Sequence, residues 1–370
     1  MRLVPVNLGL AQLSDHFLLS TVFLYALAML AYAGDFAYGR RGGQRERETA
    51  GVTVAAPVPA GVAASTAASA ALVARAAGVP APGGVPASPD GASAATGGPP
   101  APVAVPASRW RAGGVPAGPW LRAALALTAI GLVTHALGIL TRGLSEGRIP
   151  WGNMYEFLTA ITCAAVFAFL VVAVRYRVYS LGLFVMAPVV IGLGLCATVL
   201  YTAAGPLVPA LHSYWIAIHV TAMIIAIGSY IVAAVMTVLY LLADRPARRS
   251  GDGQQTGFGV ILAHLPSREG LDRLSYRTVV FAFPVWTFAV IAGAIWADQA
   301  WGRPWGWDPK ETWSFITWVV YAGYLHARAT VGWRGRRAAY VQLAGFACLL
   351  FNLVGVNLWI TGLHSYAGMG

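Results

Sequence analysis

Charge is scarce in this chain. Asp, Glu, Lys and Arg supply 11% of its 370 residues, about half the share usual in a soluble domain, which excludes an ordinary soluble globule. Acidic residues are the scarcer kind, 14 against 25 Lys and Arg. Cysteine occurs three times, as Cys163, Cys196 and Cys348, each alone in an apolar run and none in a CxxC pair. That pattern argues against thiol redox chemistry and against zinc sites of the usual spacing; a lone buried Cys is a small apolar filler. Any thiol reaction must use a thiol from another protein. Internal repeats, a phosphate-binding P-loop and a dinucleotide-binding glycine fingerprint are all missing.

Apolar residues, 58% of the chain, take the place of charge. A hydrocarbon core about 30 Å thick needs about 20 apolar residues per helix. Eight runs approach that length, at roughly 16–34, 119–141, 153–174, 180–203, 214–243, 279–297, 311–327 and 338–361. They are continuous, whereas the strands of a membrane β-barrel would alternate. The fold class expected is an all-α integral membrane protein, a polytopic bundle of about eight transmembrane helices.

A formal charge of +11 suggests a nucleic-acid ligand, but its distribution argues otherwise. With the N-terminus outside, the inner segments hold 20 of the 25 basic residues, and only Arg2, Arg142, Arg148, Arg303 and Lys310 fall outside. This is the positive-inside bias, and the opposite threading violates it. Both termini are therefore expected outside, with no nucleic-acid partner. The first run is longer than a signal-peptide core, and its positive cluster Arg40, Arg41, Arg45 and Arg47 follows it. Residues 1–40 are thus expected to hold an uncleaved first transmembrane helix.

Residues 41–118 are rich in Ala, Pro, Gly and Val, with almost no large aromatic before Trp110. Frequent proline stops helix growth, and little is available to build a core. A disordered cytoplasmic linker is expected there, with the membrane domain at 119–370. LPSREGLDRLSYR, in a second inner loop at 244–278, reads as a short amphipathic surface helix.

The stretch WGRPWGWDPKETWSFITW, Trp301–Trp318, holds five of the chain's 13 tryptophans. Asp308-Pro309-Lys310-Glu311 reads as an N-cap, a proline at the first helical position and an acid at the third. Trp301, Trp305 and Trp307 then belong to a bent outer loop, here 298–312, while Trp313 and Trp318 ride the helix. An interfacial aromatic belt explains one or two rings per helix end. Three in a seven-residue loop suit a large planar ligand lying against indole faces.

Two histidines reach the same end. His219, in YWIAIHV, lies just inside the outer end of the fifth run, and His364, in WITGLHSYAG, just past the outer end of the eighth. Taken singly, each also reads as an interfacial residue; together they offer two imidazoles to opposite faces of a porphyrin. His326, in YLHARA, lies 17 residues past Pro309, about 26 Å down a helix. Ionisable groups at such depth are often functional, although the neighbouring arginines also fit an interfacial His. His16, His135, His212 and His264 receive no role. In IPWGNMYEFL, Asn153 and Glu156 open a helix; Glu156 or Arg148 also offers a partner for a propionate or its counter-ion.

WGRPWGWDPKETWSFITW, with WIAIHV, YLHARA, GLHSY and WGNMYEFL around it, resembles the WWD signature of the haem-handling cytochrome c assembly proteins. Within that family it is similar to the subunit of the System II cytochrome c synthase that carries the signature. The resemblance covers roughly 120–370 and excludes the linker, which is not part of the family pattern. Arg148 also departs from it, standing where similar proteins often have His.

The resemblance implies a holocytochrome c synthase (haem lyase) subunit, active only with its partner, in a bacterial cytoplasmic membrane. Haem b would pass from the cytoplasmic side to an outer site and be joined by thioethers to the CxxCH of an exported apocytochrome c. His219 and His364 would be axial ligands of the outer haem iron. Trp301, Trp305, Trp307, Asp308 and Trp313 would form the haem platform. His326 would be one ligand of an inner-membrane haem, the second coming from a separate membrane partner subunit. A thioredoxin-like protein would keep the substrate thiols reduced. The alternative within the family is a haem exporter that hands its cargo to a separate chaperone. Outside it, a scaffold whose tryptophans only anchor the loop remains.

Overall fold

The computed structural model describes residues 6–52, 118–205, 211, 213–249 and 265–364. Residues 53–117 of the expected linker, with His212 and His264, lie outside the described residues. The helices are α1 (Leu8–Val52), α2 (Pro119–Glu146), α3 (Met154–Tyr176), α4 (Gly182–Thr198), α5 (Tyr214–Arg249), α6 (Arg268–Trp301), α7 (Pro309–Thr330) and α8 (Arg336–Leu350). A π turn, Phe351–Gly355, and one further helical turn, Val356–Trp359, prolong α8. No strand occurs among the described residues.

Seven of these helices, α8 taken with its extension, are long and apolar enough to cross a membrane. The eighth, α7, has 22 residues, about 33 Å of helix, with a more polar sequence. The chain is a multi-pass helical membrane protein. Several boundaries differ from the sequence reading: α1 runs on to Val52, beyond position 41 where the linker was expected to begin, and α6 runs on through Trp301, which was expected in the loop 298–312. The fourth run ends at Thr198, and the expected surface helix is the start of α6, because Ser267 caps Gly270 and α6 runs on unbroken from Arg268.

Local chemistry sets the helix ends at one end of the bundle. Gly147 closes α2 and Gly302 closes α6, both with positive φ, 63° and 70°, where a Cβ would be strained. The Asn153 side chain accepts the Glu156 N–H at 2.9 Å, starting α3. Asp308 starts α7 through a capping box with Glu311.

Two apolar clusters fill the bundle. Tyr25, Tyr32, Phe169, Leu181 and Met186 of α1–α4 pack with Met236 of α5. Ile161, Tyr230, Trp286, Tyr321 and Leu349, from α3 and α5–α8, form the other. Helices α3, α5, α6 and α8 contribute to both. Close approach follows the membrane rule of small residues at helix interfaces: a Cβ on Gly131 of α2 would fall 2.5 Å from the Tyr25 ring of α1. The α5–α6 pairing is the most extensive in the bundle.

Candidate functional site

Glu311 and Asp308 shape the tryptophan loop. The Glu311 carboxylate accepts the N–H groups of Gly306 and Asp308, at 2.8 and 3.1 Å, and so folds the loop back onto the first turn of α7. Trp307 takes a left-handed φ of 57° on the way. Asp308 reaches further. Its Oδ1 lies 2.8 Å from Nδ1 of His364 and accepts the Lys310 N–H, while its Oδ2 accepts the Leu363 N–H at 2.6 Å. One carboxylate therefore joins the end of α8 to the start of α7. Burial pushes the Asp308 carboxyl upward, but the His364 and Leu363 hydrogen bonds outweigh it and hold it below the usual carboxylate range.

Behind this joint lies an open cavity enclosing about 1120 Å³ of empty space, its mouth included. Its walls come from the start of α3, from α5, α6, α7 and the π turn of α8. His219 and His364 both line it, as do Trp301 and Trp305. His219 Nδ1 lies 2.7 Å from the Ala289 carbonyl of α6, which fixes the ring and directs Nε2 chemistry to any metal. Gly293 makes room for that ring, since a Cβ there would stand 2.7 Å from its Cε1 and Nδ1. The Trp296 indole stacks parallel to His219 at 6.1 Å between centroids and lies 5.8 Å from His364. Trp301 meets Trp296 edge-on at 4.7 Å and His364 at 4.9 Å.

The sequence-derived site therefore divides. His219, His364, Trp301 and Trp305 meet on one cavity, with Asp308 behind His364. Trp307 is 64% exposed and outside the lining, touching Trp305 and Phe315 edge-on. Trp313 packs on Phe351, also outside it. His326 is exposed on α7 toward its far end, beside the pairing of Arg328 with Asp272. Sequence reading missed Trp151, Trp286 and Trp296, all in the wall. Trp296 stands five residues before Trp301 in AIWADQAW, where an apolar run made it look like filler.

Arg148 and Glu156 join a buried charge cluster rather than the cavity. Glu156 pairs with Arg142 at 3.3 Å and with Arg148 at 3.0 Å, and Glu146 pairs with the same two arginines. Glu156 also accepts the Gly152 N–H at 2.7 Å, and Arg142 donates to the Thr202 carbonyl at 2.6 Å. The cluster thus pins the turn carrying Trp151 and Gly152, which line the cavity. Among the described residues, no group of three or more His, Cys, Asp or Glu side chains is placed to hold a bare metal ion.

Curated relatives point the same way. A cytochrome c biogenesis protein CcsA of Guillardia theta is 36% identical over 252 residues, 65% of this chain and 83% of that protein. Its namesakes of Synechococcus sp. (strain CC9605) and Microcystis aeruginosa are each 34% identical, over 65% and 66% of this chain and 85% and 88% of their own lengths. Residues 151–364, which include every wall of the cavity, match the family described as cytochrome C assembly protein, and the chain belongs to that family.

Proposed function

We propose that the cavity receives haem as a substrate for cytochrome c biogenesis, with His219 and His364 as the axial ligands of its iron. The observation that carries this reading is the pair of imidazoles on one cavity, each oriented through Nδ1 by its own partner. Two imidazoles that, among the described residues, belong to no cluster of three His, Cys, Asp or Glu suit a metal that brings its own equatorial ligands, as a porphyrin iron does. Trp296, Trp301 and Trp305 supply flat apolar surface for the ring. The names of the curated relatives support the same pathway.

Iron held by two imidazoles is coordinatively saturated, while the vinyl groups stay free at the ring edge. An incoming CxxCH imidazole takes the place of either the His219 or the His364 imidazole and brings its thiols to the vinyls. Each thiol adds across one vinyl, sulfur to one carbon and the proton to the other, so electrons neither enter nor leave. The chain contributes positioning rather than an acid or base. The positive-inside bias puts this cavity on the face away from the cytoplasm. His326, exposed on α7, is the ligand left for a second haem shared with a membrane partner subunit, and a thioredoxin-like protein supplies reduced substrate thiols. We further assign the chain to a bacterial cytoplasmic membrane.

The test is to purify the full chain with and without its membrane partner and record haem spectra. His219→Ala or His364→Ala is expected to lose the low-spin haem of the cavity while staying folded, and His326→Ala to lose only haem that depends on the partner. An unchanged low-spin spectrum in both His219 and His364 variants overturns the axial assignment. Formation of holocytochrome with the partner as the sole addition identifies a lyase; haem release only to a separate chaperone identifies a delivery protein.

A further inference from the structure

Two charged side chains line the cavity besides its histidines, and they are not equivalent. Glu311 is committed to the N–H groups of Gly306 and Asp308. Lys310, the one Lys or Arg among the described lining residues, sends Nζ to a neutral group, the backbone carbonyl of Asn352, at 2.9 Å. An ammonium has three donors, and a partly buried one is poorly matched by a single carbonyl. Among the described residues, no ion pair is formed at Nζ.

Asn352 adds a second mismatch at the same place. It is buried at 7% exposure, donates Nδ2 to the Ser314 hydroxyl at 2.8 Å, and leaves Oδ1 buried without a partner. Rotating the amide end over end does not relieve the mismatch but changes its sign. The Ser314 hydroxyl then donates to Oδ1, and Nδ2 becomes a donor where Oδ1 stood. Asn352 occupies this position within a π turn, in which the Val356 N–H reaches back to the Phe351 carbonyl. Such turns concentrate at functional sites. Lys310, Asn352 and Ser314 all line the cavity.

We propose that Lys310 and Asn352, backed by Ser314, form a carboxylate subsite within the cavity. It takes a propionate of the porphyrin, Lys310 moving from the Asn352 carbonyl to the carboxylate while the Asn352 amide donates beside it. This rests on the haem reading above and adds that the site requires a free acid on the ring.

Titrating the purified full chain with haem b and with haem b dimethyl ester tests it. The wild-type chain is expected to favour the free acid by about ten- to a hundred-fold, the usual worth of a charge-assisted hydrogen bond. Lys310→Met is expected to abolish that preference while the ester complex keeps its low-spin spectrum, which also shows that the variant folds. Lys310→Arg keeps the preference, and Asn352→Leu lowers it. A wild-type chain that binds both porphyrins equally, or a Lys310→Met variant that keeps the preference, overturns the subsite and leaves haem binding standing. A wild-type chain that binds neither overturns the haem reading itself.

Discussion

The Nδ1 atom of His364 lies 2.8 Å from Oδ1 of Asp308, so the residue that starts α7 also orients the imidazole beyond α8. Carboxylates in this position fix ring orientation and raise the basicity of a ligating imidazole, and removing them typically costs ten- to a hundred-fold in metal affinity. Asp308→Asn keeps an oxygen able to cap α7, so haem affinity is expected to fall by about that factor while the apo-protein loses little stability. Asp308→Ala loses the cap as well, at about 1 kcal/mol more. Equilibrium haem titration and thermal unfolding of the same samples separate the two effects.

The same carboxylate has a pH signature. Its pKa is lower in the folded chain than the ordinary value, so it stabilises the fold fully above the unfolded pKa of about 3.9 and loses that contribution as pH falls through the folded value. The stability gap between wild-type and Asp308→Ala apo-protein is therefore expected to persist at neutral pH and to narrow below about pH 4. A gap that instead widens on acidification contradicts a depressed pKa.

Gly293 decides whether His219 can sit where it does. A Cβ at position 293 would fall 2.7 Å from two atoms of the imidazole, and neither the helix backbone nor a ring tied to Ala289 yields easily. Gly293→Ala is expected to cost about 1–3 kcal/mol by overpacking and to turn cavity haem from low-spin to high-spin as the ligand is displaced. Gly194, with nothing within 4 Å of its added Cβ, is the control that keeps the spectrum.

Trp301, the last residue of α6, and Trp307, in the loop that follows, are expected to behave oppositely. Trp301 lines the cavity and touches both Trp296 and His364, so Trp301→Ala should lower haem affinity at least about tenfold through lost ring contact. Trp307, mostly exposed and outside the lining, should tolerate alanine within about 0.5 kcal/mol, with an unchanged haem titration. Equal losses in both variants would show that the loop acts as a belt rather than a binding wall.

The helices were legible because membrane burial writes itself as long apolar runs, and the start of α7 because Asp308, Pro309 and Glu311 are local capping signals. His219 and His364 were legible as a pair because both fall at one end of their helices. What stayed hidden depends on rotation about helix axes. Trp296 and Trp286 look like any apolar filler until α6 is set against α5, and Trp307 and Trp313 cannot be told from Trp301 and Trp305 by spacing alone. The role of Asp308 toward His364 spans 56 residues, beyond the reach of any local rule. Arg148 and Glu156 read as candidates for a ligand, yet their charges are spent on Arg142, Glu146 and each other.

That buried cluster carries the last expectation. Glu156 is the partner of Arg142 and of Arg148 and also holds the Gly152 N–H. Glu156→Gln leaves two guanidiniums with only Glu146 between them, and breaking a buried pair from one side costs about 3–5 kcal/mol. Replacing one acid and one base together, as in Glu156→Leu with Arg148→Met, leaves the Arg142–Glu146 pair balanced and should cost less than the single change. Measured with the two single variants Glu156→Leu and Arg148→Met, the double variant closes a double-mutant cycle that gives their coupling free energy in thermal or denaturant unfolding. Because Gly152 and Trp151 line the cavity, the single variant should also weaken haem binding without touching either histidine. A double variant less stable than Glu156→Gln would mean that the cluster acts through packing and not through its charge balance.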